Sequence, residues 1–139
     1  MCSYCGCRES LGIIARFSAE HDEIVNALGD LRRAVSTGTE IASRADSLRN
    51  LLDPHTECEE RSLFAELRKD PEFTDVVDGL CAEHVALGLA LDDVVAGTHG
   101  AFDVLEPMLM RHIDKEENGL FPAAIMVGID WDRAIAAAG

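Results

Sequence analysis

The 139-residue chain carries 26 acidic against 12 basic residues, a formal charge of −14. A surface of that sign repels phosphate backbones and argues against nucleic acid as a direct partner. With 47% hydrophobic residues the chain can fill the core of one domain, and no apolar run approaches the ~18 residues that cross a bilayer, so no membrane partner is expected.

The opening MCSYCGCRES has no apolar stretch of the kind a secretory signal needs, and a cytoplasmic protein is expected. Residues 1–8 read as a Cys-rich arm in which Cys2, Cys5 and Cys7 bring three thiols close together. Two readings stay open: a second metal site for zinc or iron, or a redox role, against an untethered tail.

Turn signals at Ser36-Thr37-Gly38-Thr39, Lys69-Asp70-Pro71 and Gly97-Thr98-His99-Gly100 divide residues 9–128 into four helical segments. The first presents Ile14, Phe17, His21, Ile24, Leu28, Leu31 and Val35 on one face. The second presents Ile41, Leu48, Leu52, His55, Glu59, Leu63 and Leu67. The third has Phe73, Val77, Leu80, His84, Leu87, Leu91 and Val94, and the fourth Phe102, Leu105, Leu109, His112, Glu116, Leu120, Ala123 and Val127. Spacings that alternate between three and four give each helix one core face. Long helices with short connections predict an all-α, up-down-up-down antiparallel four-helix bundle. Pro54 and Pro107 fall inside the second and fourth helices and are expected to kink them. Residues 129–139 read as a tail with a short helix capped by Asp130 and Trp131 packed on the bundle end.

The segments repeat in pairs. Ala19-Glu20-His21 returns as Ala82-Glu83-His84, and His55-x3-Glu59-Glu60-x2-Leu-Phe returns as His112-x3-Glu116-Glu117-x2-Leu-Phe. Two helical hairpins related by a pseudo-two-fold axis are implied. All four histidines lie some 12–15 residues from the same bundle end, or ~18–22 Å along it, so they form one layer. Glu59 and Glu116 stand one turn from His55 and His112 on the same faces.

One histidine in an apolar stripe is ordinarily a hydrogen-bonded core residue. Four in one layer with two glutamates are costly to bury without a multivalent cation, which accepts neutral imidazole and charged carboxylate together. Two equivalent half-sites suggest two ions, each with two histidines and both bridged by Glu59 and Glu116. Imidazole with carboxylate suits iron, with manganese or zinc as competitors. A rival zinc site from Cys81-x-x-His84 and Cys58 leaves the glutamates unexplained, and both cysteines read better as small buried hydrophobes. Glu20, Glu60, Glu83 and Glu117 flank the ligands and can accept hydrogen bonds from imidazole N–H groups, or be plain exposed carboxylates. His99 is placed in the third loop, exposed.

This pattern, His21, His55-x3-Glu59, Glu83-His84 and His112-x3-Glu116 with Leu-Phe after each acidic pair, resembles the hemerythrin family and specifically the hemerythrin-like (HHE cation-binding) proteins, over roughly residues 9–128. The resemblance implies a non-haem pair of iron ions, oxo- or hydroxo-bridged, that binds or reacts with O2, peroxide or NO. Two departures separate the chain from the family's oxygen carriers. Those have a further histidine one turn along the third helix, where Gly88 stands here. Their last carboxylate is an Asp five residues after its His, whereas Glu116 is at four and Glu117 at five. Fewer protein ligands leave open positions and favour reactivity or exchange over reversible carriage. Catalase- or peroxidase-like turnover, an iron, oxygen or redox sensor without turnover, and an O2-binding or iron-storage protein are the alternatives. A monomer or weak dimer is expected.

Overall fold

The computed structural model describes residues 7–139, with side chains from Gly12 onward. The described residues contain helices and no strands. Helix α1 spans Cys7–Thr37, α2 Ile41–Arg61, α3 Leu63–Leu67, α4 Thr74–Val95, α5 Ala101–Lys115, α6 Phe121–Val127 and α7 Trp131–Ala138, with a π-helical turn at Glu116–Leu120 between α5 and α6. Cys7 and Arg8, assigned to the arm from sequence, therefore lie in the first turn of α1. The Cys2, Cys5 and Cys7 proposal otherwise falls outside the described residues and side chains.

The anticipated breaks hold. Gly38, at φ 71°, ends α1 with its N–H donating to the Ala34 carbonyl at 2.8 Å. Gly97, at φ 78°, does the same after α4, its N–H reaching Val94 O. Only a residue without Cβ adopts this left-handed backbone at no cost. Between Gly38 and α2, Glu40 is held at φ 60° without a side-chain cap.

The core is two apolar clusters. One gathers Ile24, Leu28, Leu31, Leu48, Leu52, Leu87, Leu91, Leu105 and Leu109. The other gathers Phe17, Leu63, Phe64, Leu67, Val77, Leu80, Phe121 and Trp131. On α1, α2 and α4 the layer histidine falls between residues of the two clusters, and on α5 His112 lies at the edge of the first, so a polar layer divides the core. Burying a side chain such as Phe17 or Leu28 contributes roughly 1.5–3 kcal/mol, and that apolar packing holds the polar layer in place.

The helices carrying the repeated phrase are interrupted at matching places beyond their prolines. Helix α2 runs through Pro54 and α5 through Pro107. Instead α2 stops at Ser62, φ −110° and ψ −94°, whose hydroxyl donates to Cys58 O at 2.5 Å and competes with the helical ladder. Ser62 is the repeat equivalent of Gly119, inside the π turn. There the Phe121 N–H reaches back to Glu116 O. Pro122 has no N–H to give Asn118 O, so the α-helical ladder cannot close across this turn.

The extra residue in the π turn corrects the predicted stripe. A residue inserted into a helix rotates everything after it by ~100°. Leu120 stays buried, but Phe121 and Ala124 turn inward in place of Ala123 and Val127, and Val127 is 44% exposed. Helix α7 caps this end against α1, α2 and α3. Asp130 accepts from the Arg133 N–H at its N-terminus, and Trp131 and Ala134 face inward. Arg16 and Arg61 donate to the carbonyls of Ala138 and Ala137 at its C-terminus.

Candidate metal centre

His21, His55, Glu59, His112 and Glu116 are all at most 3% exposed, and the His84 side chain is 5% exposed. All six predicted residues converge in the divided core. Two four-donor groups form there: His21, His55, Glu59 and Glu116, and His84, His112, Glu59 and Glu116. In each group the ligand atoms lie within 4.8 Å of one another. Glu59 and Glu116 belong to both.

The imidazole Nε2 atoms point into the layer. His21 Nε2 is 2.9 Å from Glu116 Oε1, His55 Nε2 3.3 Å from Glu59 Oε2, His112 Nε2 3.3 Å from Glu116 Oε2, and His84 Nε2 3.5 Å from Glu59 Oε1. The rings pair alike in the two halves. His21 and His55 have centroids 4.7 Å apart at 62°, and His84 and His112 4.8 Å apart at 63°. Phe121 stacks on His21 and Phe64 on His84, at 5.9 and 5.6 Å. These are the two phenylalanines of the repeated Leu-Phe, brought inward by the distortions after each acidic pair. Their rings cover the imidazoles and keep water from the layer.

Every Nδ1 has a carboxylate outside it. Glu20 holds His55 at 2.6 Å, Glu60 holds His84 at 2.6 Å, Glu83 holds His112 at 2.8 Å and Glu117 holds His21 at 2.6 Å. An ionised carboxylate only accepts, so each Nδ1 donates its hydrogen and each neutral ring keeps a lone pair on Nε2. The four bonds run one way around the bundle: α1 supports α2, α2 supports α4, α4 supports α5, and the π turn supports α1. All four glutamates picked from sequence as flanking acceptors occupy this ring.

Their outer partners break the pseudo-symmetry. Arg16 pairs with Glu20 at 3.3 Å, Lys115 with Glu83 at 2.5 Å, and the Ser18 hydroxyl donates to Glu117 at 2.8 and 2.9 Å. Among the described residues Glu60 has no such partner, and it is the most exposed of the four. Burial would raise the Glu83 carboxyl, but Lys115 and His112 outweigh it and hold it below the usual range. Sequence reasoning missed these partners. Arg16–Glu20 carried a readable i,i+4 spacing, whereas Ser18 and Glu117 are 99 positions apart and leave no local signal.

Electrostatically the layer asks for positive charge. Burial would depress the His55 imidazole, yet Glu59 and Glu20 lift it from 6.5 to about 9. Burial opposes His84 likewise, and Glu116, Glu59 and Glu60 lift it to about 10. His21 is also raised, by Glu116 and Glu117 against burial. The imidazoles of His112, His21 and His84 overcome desolvation and hold Glu116 well below the carboxylate range. Protons alone do not satisfy the site. His55 Nε2, both oxygens of Glu59 and Glu116 Oε2 are buried without a hydrogen-bond partner. Orphaned buried carboxylate oxygens cost several kcal/mol. A cation between these donors supplies what each lacks, so the residues fit a metal.

Other candidates lie apart. Cys58 is buried with its thiol 3.6 Å from Ala138 O, and the half-buried Cys81 accepts from Arg68 at 3.4 Å; neither joins a donor group. His99 is exposed and lines a cavity of about 560 Å³ between the α1 and α4 ends and the start of α5. That cavity holds none of the layer's side chains. No described helix is long and apolar enough to cross a membrane.

No curated protein and no solved structure matches the chain. The hemerythrin HHE cation-binding domain family matches residues 12–124, which include every side chain of the layer and its surrounding carboxylate ring. The chain belongs to the hemerythrin HHE cation-binding domain family.

Proposed function

We propose that the layer holds two iron ions and that the protein binds or reacts with O2, peroxide or NO there. His21 and His55 would hold one ion and His84 and His112 the other, with Glu59 and Glu116 bridging. The observation that carries this reading is the set of buried donor atoms without partners, divided between two groups that share both inner glutamates. Four nitrogens and two carboxylates form an N/O donor set that suits iron, with no thiolate to favour zinc. Short connections and the packing of α1 on α2 and of α4 on α5 support the up-down-up-down bundle around it.

Bound there, an iron pair would supply Lewis-acid and one-electron redox chemistry. The chain's own contribution is orientation and exclusion. The outer carboxylates fix each imidazole through Nδ1 and keep Nε2 basic. Phe17, Phe64 and Phe121 dry the layer and strengthen its electrostatics. Two donated nitrogens and two shared carboxylates per ion leave room for a small ligand. Free thiols at Cys58 and Cys81 suit a reducing compartment such as the cytoplasm. The acidic surface disfavours nucleic acid.

A sensing role without turnover is the second reading. It is favoured by Arg16, which contacts both Glu20, the support of His55, and the C-terminal carbonyl of α7. Metal analysis of protein from its native host, with peroxide consumption by the iron-loaded form, tests both. Two irons per chain and turnover are expected. One zinc and no iron refutes the iron pair. Two irons without turnover, accompanied by altered exchange protection of α7, selects the sensor.

A further inference from the structure

The repeated halves match in ligands but not in what lies outside them. Beside His55 a cavity of about 160 Å³ opens between α1 and α2, lined by Arg16, Glu20 and Glu23 from one helix and Asn50, Leu51, Pro54 and His55 from the other. A layer imidazole, His55, forms part of its wall. The repeat relation (21 to 84, 55 to 112) maps Glu23 to Ala86 and Pro54 to Arg111. The first half thus presents an exposed carboxylate where the second has a methyl group, and an uncharged ring where the second has an exposed cation. The groove on the second half, about 550 Å³, touches Glu83 but no imidazole, and Val76, Leu80, Leu120 and Ala123 line it.

We infer that the Glu23-lipped cavity is the route by which divalent cations reach the centre. This rests on the metal reading above. Glu23 attracts the ion at the surface, and Glu20 lies deeper, bonded to His55 Nδ1. On the far side of the same ring, His55 Nε2 is buried and without a partner. An ion passing the rim meets the Glu20 carboxylate first, and the His55 ring alone stands between that carboxylate and the donor layer its Nε2 faces. Arg16, paired with Glu20, is the cation it must pass.

The test is stopped-flow uptake of Co2+ by metal-free full-length protein, followed by cobalt absorption. Glu23→Gln and Ala86→Lys each raise the net charge by one, at equivalent positions of the two halves. Glu23 is exposed and outside the donor groups, so its removal leaves final stoichiometry unchanged. At low ionic strength Glu23→Gln should slow uptake roughly two- to fourfold, as one charge acts on a divalent ion across about 10 Å of water, and salt should erase the difference. Ala86→Lys should leave the rate near that of the parent. Leu51→Trp, which fills the cavity, should slow loading at any salt. Equal slowing by the two charge variants, or no slowing by Glu23→Gln, overturns the route. A parent protein that binds no Co2+ overturns the metal reading and the route together.

Discussion

Loading the centre with a divalent metal should expel protons. Without metal, His55 titrates at about 9 and His84 at about 10, because Glu59, Glu20, Glu116 and Glu60 face them and outweigh burial. At pH 7.5 both imidazoles are then charged, and a charged imidazole has no lone pair for a metal. Displacing the protons costs about 2 kcal/mol at His55 and about 3 kcal/mol at His84, at 1.36 kcal/mol per pH unit. Metal binding at pH 7.5 should therefore release at least about two protons, one from His55 and one from His84, and because these belong to different ions the apparent affinity for each ion should rise roughly tenfold per pH unit until pH nears 9. Calorimetric titration of Co2+ in two buffers of different ionisation enthalpy counts the protons directly. Stability of the metal-free protein should run the opposite way. A raised folded-state pKa gives stability that is full below the unfolded value of 6.5 and lost as pH rises through about 9 and then about 10. Release of no protons between pH 7 and 8, or metal-free stability that climbs from pH 7 to 10, would refute the reasoning.

Glu59→Gln or Glu116→Gln should deplete both metals, since each residue belongs to both donor groups, while His55→Ala should deplete one; elemental analysis showing a single metal lost from either glutamate variant rules out bridging. Glu117→Gln leaves the His21 ring without its carboxylate and should weaken metal binding roughly 10–100-fold in chelator competition, with helicity unchanged. Phe64→Ala empties a fully buried position beside His84 and should cost roughly 3–5 kcal/mol in urea denaturation.

Much of this was legible because helix periodicity and repetition are local. The core faces of α1 and α4 follow from spacing, apart from Val35, which the end of α1 leaves exposed, and the six inner residues and four outer glutamates follow from the two repeated motifs, Ala-Glu-His and His-x3-Glu-Glu. Ala123 and Val127 were misplaced because a π turn adds a residue without changing composition. Its local trace is Pro122. The pairing Ser18–Glu117 and the cavity over His55 depend on which helices become neighbours, and chain order alone does not carry that.

The one-way ring of carboxylates makes the site a test of complete assembly. Within either hairpin one imidazole is supported from inside, His55 by Glu20 and His112 by Glu83. The other must borrow from across the axis, His21 from Glu117 and His84 from Glu60. Neither hairpin by itself can finish orienting its own nitrogens, yet two copies of one hairpin, joined head to tail around an axis, could close the same circle. The duplicated sequence is thus geometrically equivalent to a dimer fused into one chain. In one chain each half is free to differ in what surrounds its ligands: Ser18 donates to Glu117, and among the described residues nothing comparable braces its repeat counterpart Glu60.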